Sequence, residues 1–322
     1  MVKIDITSLG EIYVVIYPEE EGIYNEKTRF KLLINCSTLN VAVATHRLGC
    51  VSSILGSIGD DIIGSFIVSV LRREGVITNW LKVKKLRTTI AFSIRDKYGE
   101  KLLFYRKPYV KTADTEFTLK DVNVDEVIDS TKTLYVSGFS ICKSPLKDTV
   151  FYVMKNASRK GIDVVFSTAS LKALSKPCEE FISSHSRYFK YATVLYSKVD
   201  ELEPLFKSRN YKFIANKLME KYDQLKYVII NYGRGVYIRS RDIELNKEFR
   251  RLEIVDLSGA DDAWISGFMV FHMVKGMGLE KTVSLSNTSY VMTCSKPGVL
   301  NAFPQIYELE KYVNKEKLTV RF

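Results

Sequence analysis

The sequence predicts an α/β fold, in which a parallel sheet carries helices on both faces and a smaller antiparallel sheet is added early in the chain. Three observations predict it. From about residue 132, short β-branched runs alternate with helix-length stretches, the βαβα order of a parallel sheet. Two earlier stretches break that rhythm and read as antiparallel pairs. A short polar loop, Asp256-Leu-Ser-Gly-Ala-Asp-Asp262, opens directly onto a helix that is apolar on nearly every face and therefore belongs in a core.

The elements follow in order. Met1 to Gly10 alternates like a strand. Glu11 to Tyr17 with Arg29 to Ile34, and Thr88 to Arg95 with Lys101 to Arg106, form the two antiparallel pairs, the second joined by a hairpin turn at Asp96-Lys-Tyr-Gly-Glu100. Thr133 to Ser137, Asp163 to Phe166, Ala192 to Tyr196 and Tyr227 to Asn231 read as strands, and Leu146 to Lys160 as a helix ended by Gly161. No repeat, low-complexity tract or Pro/Gly linker divides the 322 residues, so one continuous domain is expected over 1–322.

Composition excludes several classes. No apolar run approaches the roughly 20 residues of a membrane span, and the N-terminal segment lacks the apolar block of a signal peptide, so a cytoplasmic protein without a membrane partner is expected. Five scattered cysteines contain no Cys-x-x-Cys pair and indicate neither a zinc site nor a disulfide framework. His272, on the apolar helix, reads as a packed residue. The net charge of +11 suits anionic small molecules. Its densest basic run, Lys82-Val-Lys-Lys-Leu-Arg87, alternates as an edge strand does, and no nucleic-acid partner is expected.

The loop before the apolar helix carries the chemistry. A helix N-terminus presents unpaired N–H groups and the positive end of the dipole, a natural seat for phosphate. Asp262 sits at that start, where a carboxylate can take a proton from an attacking hydroxyl. Together these suggest phosphoryl transfer, against the plainer reading of an N-capped buried helix.

Asp256, Gly259, Ala260, Asp262, Ala263 and the aromatic Trp264 resemble the signature of the PfkB (ribokinase-like) carbohydrate kinases, roughly Asp-Thr-x-Gly-Ala-Gly-Asp-Ala-Phe. Asn40-Val-Ala-Val-Ala-Thr-His-Arg-Leu-Gly49, Gly56-Ser-Ile-Gly-Asp-Asp-Ile-Ile-Gly64, then Leu71, Gly75-Val76, Asn287 to Thr293, Gly298 and Pro304 follow the family's order over nearly the whole chain. The resemblance implies a ribokinase-like three-layer α/β/α core with a mostly parallel sheet and a small β lid, grown from about residues 11–35 and 87–107 and commonly used for dimerisation. It implies an ATP- and magnesium-dependent kinase acting on a hydroxyl of a small sugar or sugar acid. Asp262 would be the catalytic base. Gly259, Ala260, Asp261, Ser197, Asp200, Gly233 and Asn287 would lie at the nucleotide, with Asp200 toward the metal. Asn40, Tyr105 and Arg106 would meet the acceptor, the last two by similarity to the Tyr-Tyr-Arg-Lys of 2-keto-3-deoxygluconate kinases.

Several positions depart from the family pattern. The aspartate that grips sugar hydroxyls falls at Val15, and a Gly-Gly pair at Asn35-Cys36. The phosphate-side arginine falls at Leu171, the magnesium-associated Asn-x-x-Glu at Ser197-Lys-Val-Asp200, and a glycine turn is shortened to Asn231-Tyr-Gly-Arg-Gly235. Asp261 replaces a glycine where phosphate should arrive. Two unit charges ~4 Å apart repel by roughly 4 kcal/mol at an effective dielectric of ~20, so Asp261 is expected to turn outward to solvent or to bind a metal. Alternatives to the carbohydrate kinase are a non-catalytic ribokinase-like protein that binds nucleotide or sugar, and a nucleoside kinase.

Overall fold

The computed structural model describes residues 3–20, 24–96, 99–106, 110–168, 187–250 and 254–319. Its strands are β1 (Ile4–Leu9), β2 (Tyr13–Pro18), β3 (Phe30–Ile34), β4 (Ser52–Gly59), β5 (Ile77–Lys84), β6 (Thr89–Asp96), β7 (Gly99–Tyr105), β8 (Thr131–Ser137), β9 (Asp163–Ser167), β10 (Val194–Lys198), β11 (Tyr227–Asn231), β12 (Gly235–Arg239) and β13 (Glu244–Glu248). Nine of them form one sheet in the order β13-β12-β11-β10-β9-β8-β1-β4-β5. Every pairing from β11 to β5 is parallel.

Alternation along the strands builds two cores, one on each face of this sheet. On β8, Leu134 and Val136 join the cluster beneath the Leu146–Arg159 helix, where Val150, Val153 and Met154 are buried. Tyr135, between them, points to the other face with Tyr196 and Ile229. That face packs against the Ala260–Phe268 helix, in which every residue is buried. Trp264 stacks between Tyr196 and Phe268. Met269–Val274 continues the helix as a π-helical turn, and His272 there bonds the Met277 carbonyl and the Tyr227 hydroxyl, the packed role expected of it.

The antiparallel edge made by β12 and β13 did not emerge from the sequence. β13 reads Glu-Leu-Asn-Lys-Glu and is mostly exposed, so it carries no apolar alternation to betray it. The two early pairs are present, and parallel pairing of β2 with β6 joins them into a four-stranded sheet, β3-β2-β6-β7. The turn at 97–98 and the Leu171 position lie outside the described residues.

Parallel strands place their C-terminal ends along one edge, where ligands of such sheets collect. Gly10, Ser137, Ser167, Lys198 and Asn231 all lie at that edge, facing the start of the Ala260–Phe268 helix. Gly259 caps this helix with φ +75, and a Cβ there would sit 2.8 Å from Val299 Cγ1 and 3.1 Å from the Phe303 ring. Both conformation and space demand glycine. Gly259→Ala should therefore lower stability by about 1–3 kcal/mol, read as a lower urea midpoint. An unchanged midpoint would mean that the loop yields without cost.

Candidate active site at the helix start

Asp262 is buried in the first turn of the Ala260–Phe268 helix and accepts hydrogen bonds on both oxygens. Ser37 Oγ donates to Oδ1 at 2.5 Å and Asn40 Nδ2 to Oδ2 at 2.8 Å. These donors lie one turn apart on the Ser37–Arg47 helix, so they share a face. Asn40 Nδ2 also lies 3.1 Å from Asn35 Oδ1, and Asn35 Nδ2 donates to the Tyr17 hydroxyl at 2.6 Å. Burial pushes Asp262 up to about 6, against the Ser37 and Asn40 bonds and with help from neighbouring Asp261.

Asp261, the adjacent residue, is treated oppositely. Its Oδ1 accepts from the Tyr196 hydroxyl at 2.5 Å and from Asn231 Nδ2 at 2.8 Å, and its Oδ2 pairs with Lys198 Nζ at 2.6 Å. The expectation that Asp261 turns to solvent is thus corrected. The side chain turns inward, and a lysine answers its charge. Burial works to raise this carboxyl, but the Lys198 charge and the three donors prevail and hold it below the usual range. Asp261 in turn drives the Lys198 ammonium upward. Neighbouring carboxyls whose surroundings push them apart are the arrangement that acid–base sites use.

Beside this start lies a cavity of about 900 Å³, whose walls include Lys198, Asp200, Arg209, Asn231, Gly233 and Arg234. Gly233 takes φ +91 with open space around it, and its N–H donates to Asn231 Oδ1. Asp200 stands at this wall, 2.5 Å from Arg209. The deeper acid is Glu201, whose Oε2 accepts from Thr168 Oγ1 at 2.6 Å and from the Lys198 N–H at 3.2 Å; burial raises it to about 7. Ser197 does not reach the cavity as expected of a nucleotide contact. It is fully buried, 2.5 Å from Thr168 Oγ1, because β10 alternation turns Ser197 inward and leaves Lys198 at the mouth. Asn287 braces the core instead of lining the large cavity. It accepts from Trp264 Nε1, donates to the Glu248 carbonyl and borders a separate space of about 180 Å³.

Under the small sheet, Arg106 and Glu11 form a buried pair, Nη1 to Oε1 at 2.6 Å. The guanidinium lies over the rings of Phe104 and Phe139 at 4.4 and 4.7 Å. Tyr105 is corrected. It is 57% exposed on the outer face, since alternation along β7 sends Phe104 inward and its neighbour out. Val15 is wholly buried in the apolar cluster, so no hydroxyl-binding group stands there.

The structure thus brings together Asp262, Asn40, Gly259, Ala260 and Asp261 at one point, with Asp200 and Gly233 at the adjoining cavity. Sequence reading missed Ser37, Tyr196, Lys198, Asn231 and Glu201. The signals were present: a polar pair at i and i+3 in the first turn of a helix whose next four residues are apolar, and a cation closing a strand that begins Val-Leu-Tyr.

A carboxylate placed to take a proton, set against a cation-rimmed cavity, is the equipment of a phosphotransferase. Residues 2–306 match the family model described as pfkB family carbohydrate kinase, and the chain belongs to that family. It is 24% identical to a 5-dehydro-2-deoxygluconokinase of Halalkalibacterium halodurans over 98% of this chain and 96% of that protein. It is 25% identical to a protein named probable fructokinase-2 of Arabidopsis thaliana, over 93% and 92%. The fold agrees with that of a Xylella fastidiosa fructokinase solved with bound ATP, with TM-score 0.85, 20% identity and coverage of 98% and 100%. The protein is a carbohydrate kinase, a phosphotransferase acting on a small sugar.

The raised Asp262 has a measurable consequence. An ordinary aspartate titrates near ~3.9, and here the folded value is about 6. The folded state therefore holds the proton more tightly, and the stability this contributes is present below about pH 4 and lost as pH rises through about 6. Asp262→Asn should gain on wild type in melting temperature as pH rises from about 4 to about 8. A difference independent of pH would remove the buried-carboxyl account.

Proposed function

We propose that Asp262 is the catalytic base of this kinase. The observation that carries the proposal is the position of its buried, doubly bonded carboxylate in the first turn of the core helix, beside the large cavity. In this reading the cavity holds ATP, with Gly233 and Asp200 along its wall. The N–H groups of residues 259–262 receive the terminal phosphate, as the first turn of a helix can. The acceptor hydroxyl joins Ser37 and Asn40 as a third donor to Asp262, and its proton passes to the carboxylate as its oxygen bonds to phosphorus. The bond to the β-phosphate breaks, and ADP leaves with the electron pair. Asn40 and Ser37 orient both carboxylate and hydroxyl.

Magnesium belongs to the same proposal. Among the described residues no three acidic, His or Cys side chains cluster into a metal cage. That fits an ion bound chiefly by nucleotide phosphates and water, with one or two carboxylates. Asp200 and Glu201 are the carboxylates on hand, and the ion would neutralise charge on the phosphates. Arg106 already meets Glu11 through Nη1 in a buried pair, which offsets its charge. We take this to favour an uncharged sugar over a sugar acid.

Asp262→Asn should lower kcat by about 10²–10⁴-fold while ATP binding persists, and the wild-type rate should climb as pH rises through about 6. In the same assay neutral hexoses should exceed sugar acids in kcat/KM. Turnover surviving in Asp262→Asn would end its role as base, and a preference for sugar acids would reverse the acceptor assignment.

We further propose that the chain acts as one domain, in the cytoplasm, as a homodimer joined through the small sheet. Among the described residues no helix is long and apolar enough to cross a membrane. The outer face of the small sheet supports the dimer. Leu32, Ile16, Phe92 and Leu103 form one row across its four strands, and Phe30, Ile94 and Tyr105 lie exposed on the same side. An apolar face of this kind is an interaction surface. Light scattering should give twice the chain mass for the wild type and the chain mass for Leu103→Asp. A monomeric wild type would refute the assignment.

A further inference from the structure

We propose that Lys198 is the cation that receives the terminal phosphate of the nucleotide, and that Asp261 is the positioning residue that holds it there. The proposal rests on the nucleotide reading of the large cavity. Its observation is the route of the Lys198 side chain. It leaves the C-terminal end of β10, lines the cavity, and ends 2.6 Å from a carboxylate in the first turn of the core helix. The next residue of that turn is Asp262. A phosphate passing from the cavity to a hydroxyl at Asp262 must cross this seam.

The two partners are unequally covered. The Asp261 side chain is 10% exposed and the Lys198 side chain 47%. Asp261 is fixed from below by Tyr196 and Asn231, and both bonds are buried. An ammonium carries three donors, of which the carboxylate uses one direction. A lysine otherwise spreads over many rotamers, and a fixed carboxylate confines it. The ammonium then stands at the cavity mouth before ligand arrives, and phosphate binding need not order it. Asp261 also cancels the charge while the site is empty, so no bare cation faces the core. The plainer reading, that Lys198 merely neutralises a buried acid, predicts no effect specific to the third phosphate.

That difference defines the test: titration calorimetry with ATP and ADP on the full-length wild type, Lys198→Arg, Lys198→Met and the double variant Lys198→Met/Asp261→Asn. Lys198→Met should weaken ATP at least about tenfold more than ADP, the loss of one charge-assisted hydrogen bond. It should also lower kcat without changing the acceptor KM, whereas Lys198→Arg keeps most of the ATP preference. Lys198→Met strands a buried carboxylate. Should it fail to fold, the double variant, free of both charges, gives the same reading and should show the same loss of preference. A wild type that binds ATP, with an unchanged ATP-to-ADP ratio in the folded lysine variant, would overturn the role of Lys198 alone. A wild type that binds neither nucleotide would overturn the reading of the cavity and this proposal with it.

Discussion

Two carboxylates share the first turn of a buried helix, and much of the surrounding structure keeps their charges from colliding. Unrelieved, adjacent acids in low dielectric would both resist ionisation. Here one is tied to a lysine and two neutral donors, and the other to a serine and an asparagine from a different helix. The strands supply one set of partners and the Ser37–Arg47 helix the other. The helix start is therefore a junction between the two halves of the molecule, held by polar bonds, within an apolar core formed by Trp264, Ile265 and Phe268.

The arrangement divides labour by depth. Asp262 points toward the small sheet, where Asn40, Asn35 and Tyr17 continue a chain of hydrogen bonds. Asp261 points toward the ends of β10 and β11 and the large cavity. One peptide unit thus separates the proposed acceptor side from the proposed nucleotide side. The substitution of glycine by aspartate, which looks damaging from sequence alone, is absorbed because β10 places a lysine within reach.

The repeating βα rhythm from Thr131 to Asn231 was legible in the sequence, because each strand there is buried on both faces and carries a short apolar run at its centre. β13 was not, since an exposed edge strand has no such constraint. In the site, Asp262 could be read because a polar loop there opens onto an apolar helix, and Asn40 because it stands in a motif that resembles the family's. Their mutual bond, and that from Ser37 across 225 positions, is a tertiary fact with no local trace. Tyr105 and Ser197 were misplaced for one shared reason. In a strand a shift of one residue exchanges inside for outside, and motif similarity does not say which neighbour faces the ligand.

Asp256 shows how the junction keeps its shape. Its carboxylate accepts from the Ser258 N–H at 2.9 Å and from the Gly298 N–H at 3.2 Å. One oxygen thus fastens the loop that enters the core helix, and the other fastens the loop that follows the Leu279–Cys294 helix. Gly259 lies beneath, against Val299 and Phe303. These two loops cannot drift independently, so the amides at the helix start behave as part of a single clasp. A clasp already closed can take a ligand with little loss of disorder, and it passes any displacement of the C-terminal loop straight to the start of the core helix.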